Sequence, residues 1–379
     1  MALYYPPPGE WERIDPASAA IRPDALRSAA AFAVEHDSDW PASLHLPDGR
    51  YVGNAFAGDR PPHDRPLGIV RPRGPACGLI VRGGRIVAEW GDVQRADTTF
   101  SVAKSFLALL CGFAVDDGLI GSVDDPVAGY MPDSDLGFAA AQNRAVTWRH
   151  LLQQTSEWQG SVWGIPDSVD HHRHFGTGSE TREPGATRAH EAPGCRWEYN
   201  DVRINRLALS LLQVFRRPLP EVLRERLMEP IGASDRWQWH GYRNAIADVG
   251  GRALESVSGG AHWGGGLFIS AIDQARVGLL VLRGGAWRDR MLLSKRWIDA
   301  LATPSPLNPQ YGYLWWLNTD RRLYDAAPAT SLFAMGGGHH LIWIDPDHDL
   351  VMVARWIDRD RCNELIGRVL DSLNRENAR

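Results

Sequence analysis

Lysine is nearly absent from this chain: of 41 basic residues only Lys104 and Lys295 are lysines, and arginine supplies the rest. Arginine keeps its charge at any working pH, whereas an amine can be tuned by burial and by its neighbours to take up a proton, so both lysines raise a functional question. The four cysteines, Cys77, Cys111, Cys195 and Cys362, lie far apart and form no close-spaced pair. That spacing argues against a disulfide framework or a zinc site and fits reduced thiols. No apolar run approaches the roughly 20 residues of a membrane helix, which excludes a helical span. The formal net charge is -5, so no basic excess exists to neutralise a phosphate backbone, and nucleic acid is not the expected ligand. Met1 to Pro16 contains no basic region followed by an apolar stretch. A cytoplasmic protein with a small-molecule partner is therefore expected.

What remains is a globular chain of 379 residues, 44% hydrophobic and 23% charged, long enough to bury the core of one large domain or two. Its sixteen tryptophans can fill that core, and such an excess also suits an aromatic-walled pocket. Residues 1–75 are rich in proline, glycine and aspartate with one good helical stretch, Pro23 to Glu35, and read as an N-terminal wrap. Cys77 to Trp90 alternates apolar and polar residues around Gly83-Gly84, which predicts a hairpin. Ser101 to Asp117 is too long and too apolar around its circumference for a strand, and predicts a buried helix with Asp97, Thr98 and Thr99 as candidate caps. From Leu119 to Gly250 the pattern is helical at Thr147 to Gln154, Val202 to Phe215 and Pro220 to Met228. Strands are expected again at Trp263 to Ile269, Tyr311 to Asn318, Ser331 to Met335 and His340 to Trp356, with helices at Ala271 to Arg283, Ser294 to Ala302 and Arg361 to Asn374. The order predicts an α/β (α+β) protein: an antiparallel sheet domain from residues 76–118 and 251–379, flanked by helices and interrupted by an all-helical insert over 119–250.

Ser101-Val102-Ala103-Lys104 opens the buried helix. Residues three apart share a helix face, so the hydroxyl and the amine point into one space, and the helix N-terminus favours negative charge on the serine oxygen. Burial disfavours the charged amine, which would let Lys104 take the Ser101 proton. Tyr199-Asn200-Asp201 stands where a loop enters a helix. The phenol could relay a proton, and Asp201 or Asn205 could hydrogen-bond the lysine; the same residues also read as a buried tyrosine with a capping aspartate. Gly336-Gly337-Gly338-His339-His340 leads into a strand from Leu341, and glycines there let backbone approach a ligand. A backbone N–H at the start of that strand, with that of Ser101, could form an oxyanion hole, while His339 or His340 could touch substrate.

These residues resemble the serine β-lactamase and penicillin-binding-protein superfamily, in particular its class C-like branch of esterases, D-aminopeptidases, nylon-oligomer hydrolases and transacylases. The resemblance rests on Ser101 to Lys104, Thr147-Trp148-Arg149-His150-Leu151-Leu152 with Thr155-Ser156, Tyr199-Asn200-Asp201, Trp263 to Leu267, and Gly336 to Gly338 before Asp345-Pro346, in that order along the chain. It implies the β-lactamase/transpeptidase-like fold with a site between sheet and helical domain, Ser101 as acylated nucleophile, Lys104 as its base partner, Tyr199 as proton relay, and the strand after Gly338 as an oxyanion donor. Three departures matter. Asp201 stands where relatives carry asparagine, the Gly336 region lacks a Lys-Thr-Gly, and Thr155-Ser156 continues into Glu157-Trp158 rather than glycine. Penicillin recognition is therefore not expected, and a carboxylate and an indole are expected near the cleft.

The function expected is an acyl-enzyme serine hydrolase acting on an ester or amide, with acyl transfer as a variant and no cofactor; the other class of reading is a non-catalytic binding or scaffold protein that retains the fold. Asp170-His171-His172-Arg173-His174, with His190 beyond, offers histidines but no H-E-x-x-H order, and reads as a mobile solvated loop rather than a metal site. Gly264-Gly265-Gly266 is not followed by a lysine-bearing helix, so a nucleotide site is not expected.

Overall fold

The computed structural model describes residues 3–49, 52, 67–69, 71–172, 185–260 and 266–374. Its main sheet is assembled from both halves of the chain. The predicted hairpin forms as β1 (Cys77–Arg82) and β2 (Arg85–Trp90), turning at Gly83-Gly84, where both glycines have positive φ. Two short strands, β3 (Asp97–Thr98) and β4 (Gln238–His240), flank β5 (Gly266–Ile269) in a separate three-stranded sheet. The C-terminal half supplies β6 (Trp316–Leu317), β7 (Leu332–Gly336), β8 (His340–Asp345) and β9 (Leu350–Arg355). The large sheet runs β6-β7-β8-β9-β1-β2 and every pair is antiparallel, with Cys77 opposite Arg355 and Gly336 opposite His340.

The helices that matter for the site and the core are α1 (Pro23–Glu35), α2 (Val102–Asp116), α3 (Trp148–Leu152), α4 (Asp201–Phe215), α5 (Ala271–Leu282), α6 (Lys295–Leu301) and α7 (Cys362–Ser372). α2 is buried on nearly all sides, as its unbroken apolar run requires, and packs with α4, α5 and one face of the large sheet in a single core. The opposite face, including Ile80, Trp90, Trp343 and Met352, is covered by α1 and α7. The helical stretch of the N-terminal wrap is thus one of the two helices closing the sheet.

Several local expectations differ from the structure. Asp97 and Thr98 lie in β3 and do not cap α2; the Asp97 carboxylate instead pairs with Arg95 at 2.9 Å. The insert is not all helical, because Ser161–Val162 pairs with Ile165–Pro166, and Trp237 and Trp239 are buried around exposed Gln238, the period of two that makes β4 a strand. The strand expected from Tyr311 to Asn318 shrinks to β6, since Leu314 has φ +56° and Gly312 N–H turns back to the Trp315 carbonyl. Trp263, Gly264 and Gly265, and with them the first part of the expected strand, lie outside the described residues, as do Arg173 and His174. Among the described residues no helix is long and apolar enough to cross a membrane.

Candidate active site

The turn from β3 into α2 fixes Ser101. Thr99 is fastened to β5 by its N–H and its hydroxyl, each donating to the Leu267 carbonyl at 2.9 Å, and Phe100 then adopts φ +48°. A non-glycine residue pays strain in that region, which persists only where the surroundings enforce it. Ser101 is the N-cap residue of α2, yet its hydroxyl makes no capping bond. It meets Lys104 instead, whose Nζ donates to Ser101 Oγ at 2.8 Å. Lys104 is 1% exposed and its Nζ has two further partners, the Gly259 carbonyl oxygen at 3.2 Å and Asp201 Oδ1 at 2.5 Å.

Asp201 is placed by the start of α4. Asn200 caps that helix by accepting the Arg203 N–H at 3.1 Å, donates its own N–H to Gln154 Oε1 at 3.1 Å, and donates Nδ2 to the Asp167 carbonyl at 2.9 Å. The Asp201 N–H donates to Asp170 Oδ2 at 2.8 Å, and with this backbone pinned the Asp201 side chain meets the amine. Asn205, the alternative partner, accepts from the Gly259 N–H at 2.8 Å and so helps to hold the residue whose carbonyl meets the amine. Tyr199 is buried with its ring centroid 4.9 Å from Lys104 Nζ, and stacks on Trp316 at 5.8 Å. Tyr311 and Trp197 complete this aromatic group, with Trp197 5.7 Å and Tyr199 6.2 Å from the Tyr311 ring. Burial, with the neighbouring Tyr199 and Asp201, pushes the Tyr311 phenol well above its ordinary range.

The glycine segment divides its work. A Cβ on Gly336 would stand 2.1 Å from the Thr99 carbonyl oxygen and 3.2 Å from the Ser101 nitrogen, so the end of β7 lies directly against Ser101. Gly336, the first of the three glycines and the last residue of β7, is thus the point of this segment that closely approaches Ser101. A Cβ on Gly338 would instead strike the Trp356 ring at 2.3 Å. His339 has φ +57°, and its Nδ1 lies 3.1 Å from the Ile357 carbonyl oxygen. His340 is fully buried with its ring 4.3 Å from Trp356, and Nδ1 accepts from Arg355 Nε at 3.1 Å. Burial, and then the Arg355 charge, hold this imidazole well below its ordinary range, so it is a neutral packing element. The hydrogen bonds of the two histidines run to Ile357 and Arg355, on the far strand and the segment after it.

Glu157 and Trp158 are likewise inside the protein, 0% and 1% exposed, and neither presents an open face. Trp158 donates its indole N–H to the Gly137 carbonyl at 2.8 Å. Glu157 joins Glu198 around the guanidinium of Arg188, and both carboxylates also meet Arg203. Burial alone would raise the Glu157 carboxyl, but hydrogen bonds from Arg188 and the Glu191 N–H and the Arg203 charge outweigh it and hold the group at about 2. The segment expected to be a solvated loop is also buried where it is described: Asp170 is 0% and His171 1% exposed. Asp167, His171 and His190 do converge, their ligand atoms within 4.8 Å of one another. However, Asp167 Oδ2 already lies 3.1 Å and 2.9 Å from the two imidazole Nε2 atoms and accepts from Arg203 at 3.1 Å, so a dication there would face a guanidinium. The donor set fits a hydrogen-bonded carboxylate better than a metal centre.

Three contributors carried no signal of their own in the sequence. The Gly259 carbonyl sits in a glycine pair with no motif, and Arg188 and Arg203 are two among many arginines. The Tyr311 to Trp316 stretch did carry one, four aromatics in six residues, although its pattern reads equally well as a strand.

A serine at the head of a buried helix, set between a helical insert and the end of an antiparallel strand, defines the β-lactamase/transpeptidase-like fold. The family model described as Beta-lactamase matches residues 76–355, well over half of the chain, and the chain belongs to that family. No curated protein matches its sequence. Among solved structures, a penicillin-binding-protein homologue from Caulobacter crescentus aligns with a TM-score of 0.56 at 17% identity, over 85% of this chain and 96% of that one. Simvastatin synthase from Aspergillus terreus aligns with a TM-score of 0.56 at 17% identity, over 80% and 94%. EstCE1, described as a hydrolase with promiscuous acyltransferase activity, aligns with a TM-score of 0.53 at 17% identity, over 79% and 93%. At these identities the likeness shows a shared fold.

Proposed function

We propose that this protein is a serine hydrolase that forms an acyl-enzyme on Ser101 and cleaves a carboxylic ester or amide, or passes the acyl group to another acceptor. The observation that carries the reading is the 2.8 Å contact between Ser101 Oγ and a buried Lys104 Nζ. In the neutral amine form, Lys104 accepts the Ser101 proton as Oγ bonds to the acyl carbon, and the tetrahedral oxyanion is met by the N–H of Ser101 and one from the glycine turn after β7. Lys104 or Tyr199 then protonates the leaving group as its bond to the acyl carbon breaks, and water or an alcohol releases the acyl chain by the reverse sequence. Serine, lysine, tyrosine and Asp201 in one site titrate together, so the proton path belongs to the group. Family membership and the likeness to a hydrolase with acyltransferase activity support the same chemistry. The aromatic group around Tyr199 supports an uncharged acyl substrate over a carboxylate-bearing one.

The test is intact-protein mass spectrometry after exposure to a fluorophosphonate and to a p-nitrophenyl ester. Wild type is expected to gain an adduct that Ser101→Ala and Lys104→Arg both lose, the second because arginine keeps the charge and cannot act as a base. An unlabelled wild type with no ester turnover would replace this reading with that of a binding protein. Turnover of carboxylate-bearing β-lactams in clear preference to neutral esters would overturn the substrate assignment alone.

A further inference from the structure

We propose that Asp201 is a positioning residue that holds Lys104 as an ammonium in the resting protein, and so sets the pH range in which Ser101 can be activated. The inference rests on the hydrolase reading for its catalytic consequence, but the charge state it assigns stands on geometry. Asp201 Oδ1 lies 2.5 Å from Lys104 Nζ with both side chains 1% exposed, so little water screens the pair. Burial alone would neutralise either group, but their mutual attraction favours both charges. An ammonium donates to both Ser101 Oγ and the Gly259 carbonyl, and its charge is met by Asp201 Oδ1 as an ion pair.

The other groups facing the amine act in the same direction. Tyr199 presents its ring 4.9 Å from Nζ, which favours a cation, and Tyr311 stands behind Tyr199 as a neutral phenol. Asp170 accepts the Asp201 N–H, adding a second carboxylate behind the first. From α2 the facing group is the Ser101 hydroxyl, and from the loop before β5 it is the Gly259 carbonyl.

An ammonium has no lone pair, so in this state Ser101 Oγ accepts a hydrogen bond and cannot hand over its proton. Activation requires Lys104 first to release one proton to solvent. The neutral amine then keeps its hydrogen bond to the Gly259 carbonyl and its place beside Asp201, and turns its lone pair to Ser101, whose hydroxyl becomes the donor. Its proton moves to Nζ as the bond from Oγ to the acyl carbon forms, and leaves with the departing group. Ester cleavage is thereby confined to alkaline pH for as long as position 201 is a carboxylate.

The scarcity of lysine makes the charge directly readable. Lys295 is 70% exposed and pairs with Asp299 on α6, and Lys295→Arg leaves Lys104 as the sole lysine. In lysine-labelled Lys295→Arg protein, the NMR shifts of the side-chain carbon and nitrogen next to the charge report its titration without any substrate. Lys104 is expected to remain charged at neutral pH. Asp201→Asn on this background is expected to lower its midpoint by at least one pH unit, with the acid limb of kcat/KM for a p-nitrophenyl ester moving down equally, a gain of about tenfold per unit at pH below both midpoints. A neutral Lys104 at pH 7 with Asp201 in place, or a midpoint that Asp201→Asn leaves unmoved, would overturn the proposal. Titration of the Lys295→Arg protein decides the charge even if Asp201→Asn does not fold. A midpoint that shifts in a protein with no turnover and no Ser101 label would uphold the pairing and remove the hydrolase reading on which its catalytic consequence depends.

Discussion

Ser101 and Gly336 approach each other so closely that a single methyl group separates two outcomes. Alanine at 336 would push its Cβ to 2.1 Å from the carbonyl of Thr99, a residue whose N–H and hydroxyl tie it to β5, so β7 or the Thr99 turn must move. Alanine at 337 would meet only the rings of Trp40 and Phe100, at 3.1 and 3.3 Å, which side-chain shifts of a few tenths of an ångström relieve. Gly336→Ala is therefore expected to lower kcat for a neutral ester by about 10²-fold, the scale of a lost oxyanion donor, whereas Gly337→Ala costs far less. Steady-state kinetics paired with thermal melts check this, and equal losses in the two variants would show that close approach at Gly336 is not what matters. At this scale the sequence reveals what helix periodicity governs. Ser101 and Lys104 share a face because they are three apart, and Asp201 follows from its place in the first turn of α4. Glu157 and Trp158 could not be assigned the same way, since the arginines that bury Glu157 come from positions 188 and 203, and nothing local announces them.

The elements around Tyr199 are held by that buried ion cluster. Arg188 and Arg203 join Glu157 and Asp167 on one segment to Glu198 on the next, which leads straight through Tyr199 into α4. Removing one member strands the others, and breaking a buried pair typically costs about 3–5 kcal/mol. Glu157→Gln is expected to destabilise by that order at pH 7. Because the folded-state carboxyl is held at about 2, below its ordinary 4.5, its contribution is fully present above 4.5 and is lost as pH falls toward 2. The gap between wild type and Glu157→Gln should therefore narrow in acid, and urea midpoints for both proteins at neutral pH and near pH ~3 would measure it. A gap that stays constant or widens in acid would mean that the carboxylate is not what stabilises this region. Element identity was legible here from periodicity alone, as the long apolar face of α4 illustrates. Element contacts were not, because a histidine-rich stretch between glycines and prolines looks like solvated loop until its distant partners, Glu198 and Asp201 among them, are known.

Across the whole molecule, the order of sheet, insert and sheet was readable because β1 and β2 are recognisable as a hairpin and β8 and β9 meet at Asp345-Pro346-Asp347. What composition hid was the part played by the N-terminal segment, whose prolines and glycines suggest a loose wrap. Leu26, Ala29, Phe32 and Ala33 of α1 are buried with Ile80, Trp343 and Met352 of the sheet and with Leu365, Ile366 and Val369 of α7. Backbone bonds fasten both ends of α1: Arg22 N–H donates to the Ser372 carbonyl at 2.8 Å and Asp358 N–H to the His36 carbonyl at 2.8 Å. Deleting residues 1–35 removes four buried large apolar side chains, Trp11, Ile21, Leu26 and Phe32, at about 1.5–3 kcal/mol each, and uncovers the sheet residues beneath α1. Against a total stability of about 5–15 kcal/mol, that loss is expected to abolish a cooperative fold, although every residue of the Ser101 site lies outside the deleted segment. Calorimetry and fluorophosphonate labelling of the truncated chain test the claim together. The expected result is no cooperative transition and no Ser101 adduct, whereas a truncated protein that melts within a few degrees of the full chain would show that α7 and the sheet close this face without α1.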